Sequence, residues 1–452
     1  MTLPMNATQF EGSSRDSPMD IVIGFDFGTS CTKVVLQDPP SRTAYAVPFG
    51  ELGIPDNPFL LSSKLGLSSE GNCCLVRFDQ PGVRGIKRRL MISPFKTFTF
   101  GSSHEMRTNA LGLASIYIAL VLQHARLWFL SKFQDEYGRK KIRWHLNLGI
   151  PAKNYDDRRL KLAFLTAARI GWWLSVNKET LTIESALETM VGPSKGAFLS
   201  DPNSELIQVV PEVAAEVAAY ARSSLRQLGL HMIVDVGAST TDVAAFRLQA
   251  PEGEFEYWFL WAEVCDDACF SLHKCRVNAI EGALTGWLEK LKEMGDSMAW
   301  IPNNHEGYAP PRIPLIDVDK GFIARAVVPI TRVFAISRKR RDPNAREWQR
   351  GVPLFLCGGG SELSIFNEDL LQKSEERLRN FNWGGFRFQS LPKPDELKAD
   401  GLTHRSYHRL AVAYGLSFFF EDIGKIVPPS EIEDVGPNER IKVVNYVSKD
   451  MV

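Results

Sequence analysis

Apolar positions along the chain follow two periods. Short β-branched or alternating runs at 21–23, 34–36, 73–78, Ile142–Ile150, 231–248, 255–264 and Val352–Cys357 have the pattern of buried strands. Longer stretches at 108–133, 155–174, 211–228, 269–294, 322–336 and 407–420 carry apolar residues at helical spacing. Strands interleaved with helices predict an α/β chain. Residues 45–61 are cut by Pro48, Pro55 and Pro58 into short extended pieces. Residues 175–206 turn to Gly, Ser, Pro and Asp and read as an insertion with one weak helix at 183–190, and 303–314 is a proline-rich loop. The basic run 337–342 reads as a solvated loop. Two of the helices are rich in small residues: Ala214, Ala215, Ala218 and Ala219 in 211–228, and Ala411, Ala413 and Gly415 in 407–420. Small side chains let backbones approach closely, which suits helices that cross between two domains.

Composition narrows the function classes. With 452 residues, 44% hydrophobic and 23% charged, the chain is long enough for two core-bearing domains. Lys plus Arg equals Asp plus Glu at 53 each, so there is no electrostatic footprint for nucleic acid or for an anionic membrane. Any phosphate recognition must be local. The apolar stretch 110–122 is too short to span a bilayer and runs into Gln123, His124 and Arg126. Residues before Met19 are polar, with no apolar signal region, and read as a disordered leader. Seven cysteines, an odd number without a secretory signal, point to reduced thiols and a cytoplasmic location. Cys265, Cys269 and His273 are spaced by four, with Cys275 beside them; these are metal-ligand types, but the spacing is that of one helix face.

The chemistry concentrates in turns. Residues 21–36 read as two strands around Asp26-Phe-Gly28-Thr29-Ser30. Gly28 permits a positive φ and, lacking a Cβ, lets backbone N–H groups approach an anion, so Gly28, Thr29 and Ser30 form a candidate phosphate cradle. Asp26 would face those phosphates and could hold only a cation or its water shell, and Mg²⁺ suits that position. About two hundred residues later the device recurs, as Asp235-Val-Gly237-Ala238-Ser239-Thr240-Thr-Asp242. A repeated acidic hairpin is the mark of a duplicated domain, with phosphates gripped between the two turns. A third strand runs into Gly358-Gly359-Gly360-Ser361, again a place where a ligand touches backbone.

These three motifs, in this order, resemble the phosphate 1, phosphate 2 and adenosine motifs of the actin, sugar kinase and heat-shock chaperone ATPase superfamily. Segments 210–220 and 410–415 resemble its two connecting helices. Within it the chain looks most like the DnaK-like seventy-kilodalton heat-shock chaperones. Glu212 through Tyr220 is similar to their Glu-Pro-x-Ala-Ala-x-x-Ala-Tyr, and Ile86-Lys87-Arg88-Arg89-Leu90 to their Ala-Lys-Arg-Leu. The resemblance spans roughly residues 20–424.

It implies an actin-like ATPase fold: two duplicated ribonuclease H-like lobes at 20–210 and 231–405 with a nucleotide cleft between them. A connecting helix at 211–230 and a C-terminal helix at 406–425 returning to lobe I would join them, between a leader at 1–19 and a tail at 426–452. ATP or ADP with Mg²⁺ would bind in the cleft, Asp26 and Asp235 holding the hydrated ion. Lys87 and Glu212 would position the attacking water, with Arg88 as the alternative to Lys87, and Asp235 would also serve catalysis. Gly28, Thr29, Ser30, Gly237, Ser239 and Thr240 would contact phosphates, and Gly358, Gly359, Gly360 and Ser361 the nucleoside. Lobe closure on the γ-phosphate would act as a switch on a partner protein.

Three departures qualify the resemblance. Ala238 and Ser239 replace glycines, adding Cβ atoms where backbone approaches phosphate, which points to slow or lost hydrolysis. The arginine that stacks on adenine in the chaperones has no obvious counterpart in this sequence, which leaves the identity of the base open. About 28 residues follow Gly424, leaving no room for a peptide-binding sandwich and lid. Two further functions share this fold: an actin-like filament-forming ATPase, leaving monomer or filament undecided, and a small-molecule kinase of the sugar kinase type. For the last, no segment resembles the catalytic-Asp signature that such an enzyme needs.

Overall fold

Two hydrogen-bonded hairpins seed two mixed sheets that share one five-strand order. The computed structural model describes residues 18–55, 57–68, 70–100, 106–192, 195–280 and 315–435. Strands β1 (Met19–Phe27), β2 (Cys31–Asp38), β3 (Thr43–Ala46), β4 (Ile142–Ile150) and β5 (Ile207–Pro211) run in the order β5-β4-β1-β2-β3. The β1-β2-β3 meander is antiparallel, and β4 and β5 add in parallel. Strands β6 (Gly229–Val236), β7 (Thr241–Gln249), β8 (Glu256–Cys265), β9 (Val352–Cys357) and β10 (Phe386–Gln389) repeat this as β10-β9-β6-β7-β8, with the same directions. Each meander then gains one short parallel strand at its edge: Leu397–Lys398 beside β3 and Lys425–Val427 beside β8. The chain is therefore α/β with two mixed sheets, and five strands of each follow the same order and directions; in the first, Asn57–Ser62 also pairs onto β2, and Gly53–Ile54 pairs onto Asn57–Ser62.

Alternation along β1 decides what lies on each side of the first sheet. Ile21, Ile23, Phe25 and Phe27 are buried with the outer helices, whereas Val22, Gly24 and Asp26 point to the other face. Helix α1 is Ile86–Ile92, and the outer layer is α2 (Ala110–Lys132) and α3 (Arg158–Asn177). Asn109 caps α2 by accepting from the Gly112 N–H, and Asp157 caps α3 by accepting from the Arg159 and Leu160 N–H groups. Twelve of the first fifteen residues of α2 are buried, so its apolar run is core, as its composition implies.

The inner faces of the two sheets meet through short helices of small residues: α4 (Glu212–Glu216), α5 (Ala218–Arg222) and α6 (Ala411–Leu416). Val213, Ala214, Val217 and Tyr220 pack on the second sheet with Ile233, Ala244 and Phe355. Ala411 and Ala413 pack with Val35, Ala44 and Ala46 of the first. Each half of the chain thus sends a helix onto the other half's sheet or back to its own neighbour, and the crossing is backbone on backbone. A Cβ on Gly415 would lie 1.8 Å from the Ala215 carbonyl oxygen, and one on Gly24 would lie 2.1 Å from that of Ala413. The Asn147 amide fixes the end of α6 by donating to the carbonyls of Leu416 and Phe418.

Several elements differ from the sequence expectation. The helix expected over 211–228 is two short pieces, because Pro211 ends β5 and Val217 leaves helical geometry at φ −90°, ψ 0°. The helix expected over 407–420 is a 3₁₀ turn, His404–Arg409, followed by only six α-helical residues, with Ser417 bonding back to the Tyr414 carbonyl. The basic run 337–342 is not a solvated loop. Ser337 is buried, Arg338 and Lys339 lie over Trp383, and Arg341 reaches the Ile432 carbonyl and Asp434. The edge strands also move the boundaries drawn from sequence: the chain rejoins the first sheet by Leu397, before 405, and residues 425–427 belong to the second sheet rather than to a tail. The leader up to 17, the stretch 281–314 with its proline-rich loop and half of the 269–294 helix, and the tail from 436 lie outside the described residues.

Gly415→Val should lower stability by about 2–4 kcal/mol, because the new side chain must displace the Ala215 backbone. Urea unfolding of the purified variant measures this, and an unchanged midpoint would show that the helices do not cross as closely as described.

Candidate functional site

The two hairpins place charges at equivalent register positions. In the first, Asp26 on β1 faces Lys33 on β2, and the Lys33 ammonium donates to Asp26 Oδ2 at 2.7 Å. In the second, Asp235 on β6 faces Asp242 on β7. Directly opposed residues share one face of a sheet, so the first hairpin carries a neutralised pair and the second a like-charge pair, which is destabilising without a cation. Thr240 Oγ1 donates to Asp242 Oδ2 at 3.3 Å, while Asp242 Oδ1 is buried without a hydrogen-bond partner.

Between the hairpins lies a buried ion pair. The Lys87 ammonium of α1 donates to Glu212 Oε1 of α4 at 2.6 Å, and both side chains are below 10% exposed. Arg88 points elsewhere, half-exposed and 3.9 Å from Asp266, so of the two it is Lys87 that meets Glu212. Burial pulls the Lys87 pKa down, but Glu212, Asp26 and Asp242 together outweigh it and hold it above the ordinary range. Lys87 is therefore charged. Removing it would strand a buried carboxylate, at a cost of about 3–5 kcal/mol.

Glu216, one helical turn beyond Glu212, completes the cluster. Burial drives its pKa well above the usual carboxylate range, and the charge of Asp235 adds to this. The Cys357 thiol hydrogen-bonds it, whereas its Oε2 has no partner. Burial also raises Asp242 well above its ordinary value, with Glu212 and Asp235 next in effect. Asp235 is raised by burial first and by Asp26, against the pull of Lys33. Carboxylates of both hairpins and of α4 thus act on one another, and Asp26 and Asp235 share one electrostatic site.

The turns supply anion donors. The Gly28 and Ser30 carbonyls are tied inward by the Ser63 hydroxyl and N–H, each at 2.7 Å. Among the described residues no protein acceptor takes the N–H groups of Gly28, Thr29 or Ser30, nor those of Ala238, Ser239 or Thr240. Gly28 does not use the positive φ expected of it; glycine is required because a Cβ would meet the Cys31 carbonyl oxygen at 2.1 Å. Gly237 is constrained in the same way, its N–H donating to the Thr240 carbonyl at 2.9 Å. At the third turn Gly358 does have a positive φ, 77°, and a Cβ there would sit 2.1 Å from Asp235 Oδ1. The glycine triplet and the second hairpin therefore form one wall. The Ser361 hydroxyl serves the turn itself, donating to the Gly358 carbonyl at 2.7 Å.

Gly360 is filled on both sides by Val236 and Cys269, and Gly359 lies beneath the Arg409 guanidinium, 3.1 Å from where a Cβ would be. Glu362 Oε1 lies 3.3 Å from His408 and 3.5 Å from Arg409, and these two, His408 first, hold its carboxyl below the ordinary range. Lys33, Glu216, Asp242 and Arg409 are site residues that sequence reasoning missed. Three of them left a signal: Glu216 follows Glu212 at i+4, and Lys33 and Asp242 each lie seven residues after their hairpin's aspartate.

Among the described residues no group of three or more His, Cys, Asp or Glu side chains is placed to ligate a metal directly. A divalent cation would be held through its water shell, which is how Mg²⁺ leans on carboxylates, and unpartnered N–H groups above it fit phosphate oxygens. A cavity of about 950 Å³ lined by Arg222, Phe255, Tyr414 and Phe418 holds none of these residues. Compared with protein-family models and with curated proteins, the chain matches none.

The raised groups make stability pH-dependent. The stability that Glu216 and Asp242 lend is complete below their ordinary values of 4.5 and 3.8, and is lost as pH rises through their higher folded values. Glu216→Gln keeps the neutral shape beside Asp235, Asp26, Glu212, Cys357 and Tyr407. Its melting temperature should fall less steeply than that of the wild type as pH is raised; parallel curves would mean that Glu216 is already ionised.

Proposed function

We propose that the chain is an ATP-binding and ATP-hydrolysing switch with the actin-like ATPase fold, two ribonuclease H-like lobes closing on nucleotide, and most similar to the nucleotide-binding half of a DnaK-like chaperone. The observation that carries this reading is the meeting of Asp26 and Asp235, from equivalent positions of two sheets that share a five-strand order, around the buried Lys87–Glu212 pair. The shared strand order supports duplication, and the unpartnered N–H groups of both turns support a polyphosphate.

In this reading Asp26 and Asp235 hold the water shell of Mg²⁺. The bound ion would offset charge on the β- and γ-phosphates. Gly28, Thr29 and Ser30 bind phosphate from one wall, and Gly237, Ser239 and Thr240 from the other. Glu212 accepts from Lys87 and orients water, while the Lys87 ammonium faces the charge that develops on the transferred group. Arg409, spread over Gly359, replaces the arginine that the glycine turn itself lacks, and Gly358–Ser361 form the floor beneath it. The rigid helix crossing at Gly415 lies between the sheets, where lobe closure would be transmitted to a partner protein. A filament-forming ATPase or a sugar kinase would share the fold. The lysine–glutamate pair favours activation of water over a substrate hydroxyl, whose capture needs an aspartate base.

Mg-ATP at a hundredfold excess over its Kd should stabilise the protein by about 2.7 kcal/mol, seen as a raised melting temperature. Lys87→Ala should abolish phosphate release while ATP still binds. Arg409→Ala should weaken ATP binding by roughly tenfold. Wild-type protein that melts at the same temperature with and without Mg-ATP would overturn the proposal.

A further inference from the structure

The opposite end of the second sheet carries a second concentration of charge. β6 and β9 begin there, at Gly229 and Val352, with Asp235 and Gly358 at or just beyond their far ends. Around these beginnings is a pocket of about 460 Å³ lined by Arg247, Arg346, Arg350 and Arg387, with Glu347 as its single carboxylate. Four guanidinium groups face one acid. That acid is committed to the fold, since Glu347 Oε1 accepts the Leu230 N–H at 3.1 Å and lies 2.4 Å from where a Gly229 Cβ would stand.

The arginines divide into two anchored and two unanswered. Arg247 donates through Nε and Nη2 to Asp342, and Arg387 lies along Gly351 with its Nε donating to the Gly351 carbonyl at 3.0 Å. Arg346 and Arg350 flank and end the short helix Glu347–Arg350 at i and i+4, so their side chains share one face, where like charges repel. Neither has a side-chain hydrogen bond or an ion pair among the described residues. Elsewhere in this half Arg276, Arg325, Arg332 and Arg379 each pair with a carboxylate, and Arg338 and Lys339 stack on Trp383. Arg346 and Arg350 thus stand side by side without a carboxylate of their own, next to two further arginines that the fold holds in place. The chain as a whole is electrically balanced, so the excess is a local feature rather than a basic surface.

We propose that this pocket is a binding site for a compact anion of the phosphate class bearing two or more charges. Guanidinium forks match phosphate oxygens in pairs, and an anion between Arg346 and Arg350 would turn their repulsion into two attractions. Arg247 and Arg387, fixed by the protein, provide the preorganised side of the site. The site is independent of the nucleotide cleft and does not rest on the function proposed for it.

Pyrophosphate is the probe, titrated calorimetrically into the full chain and into the Arg346→Gln/Arg350→Gln double variant. Both positions are exposed, so the variant should melt with the wild type when no anion is present. Saturable binding should weaken by roughly tenfold or more in the variant, and in the wild type should fall as KCl is raised. Pyrophosphate could also enter the cleft, so Asp26→Asn/Asp235→Asn is titrated alongside and should keep the component lost in the first variant. Equal pyrophosphate affinity in the wild type and the arginine variant would overturn the proposal, as would chloride at matched ionic strength suppressing binding completely.

Discussion

Carboxylates buried at the junction of two sheets are the constraint on which the rest depends. Among the described residues, the carboxylates of Asp26, Glu212, Glu216, Asp235 and Asp242 meet two lysines there, Lys33 and Lys87. An uncompensated charge in such a place costs several kcal/mol, so the protein either protonates these groups or brings in positive charge. Lys87 on Glu212 fixes one, Lys33 on Asp26 a second, and burial, by raising Glu216, Asp235 and Asp242, favours protons on the remaining three. The arrangement is one that a cation would relieve.

The backbone is shaped to hold this charge in place. Identical strand order in both sheets puts one acidic hairpin on each side, and the register of each hairpin decides whether its aspartate meets a lysine or another aspartate. The helices α4 and α6 can bring the sheets together because Ala215, Gly415 and Gly24 leave no side chain between backbones. That closeness is what sets Glu212 and Glu216 against the hairpins. Packing and electrostatics are therefore not separable here: a larger residue at Gly415 would loosen the contact and move the acids.

The legible part of this arrangement was the local part. Strands Ile142–Ile150 and Val352–Cys357 emerge with the limits that their alternation and flanking turns give, and the hairpin repeat was visible as Asp-x-Gly followed by hydroxyl residues. Lys87 could be singled out within a basic run only by resemblance, since burial and a partner 125 residues away leave no local trace. Helix lengths over 211–228 and 407–420 were overestimated because alanine spacing signals helix but not the breaks at Val217, packed on the second sheet, and Ser417, whose hydroxyl donates to Gln37 of the first. Arg409 was invisible for the same reason, its role being created by the fold that lays it on Gly359.

The most direct test of the account is the proton balance of Mg-ATP binding, measured by calorimetry in two buffers of different ionisation enthalpy. Positive charge entering beside Glu216, Asp235 and Asp242 should expel protons from groups that burial had kept neutral, giving a net release that shrinks in Glu216→Gln. Binding with no proton release, or no binding at all, would contradict the claim that these buried acids form one cation-dependent site.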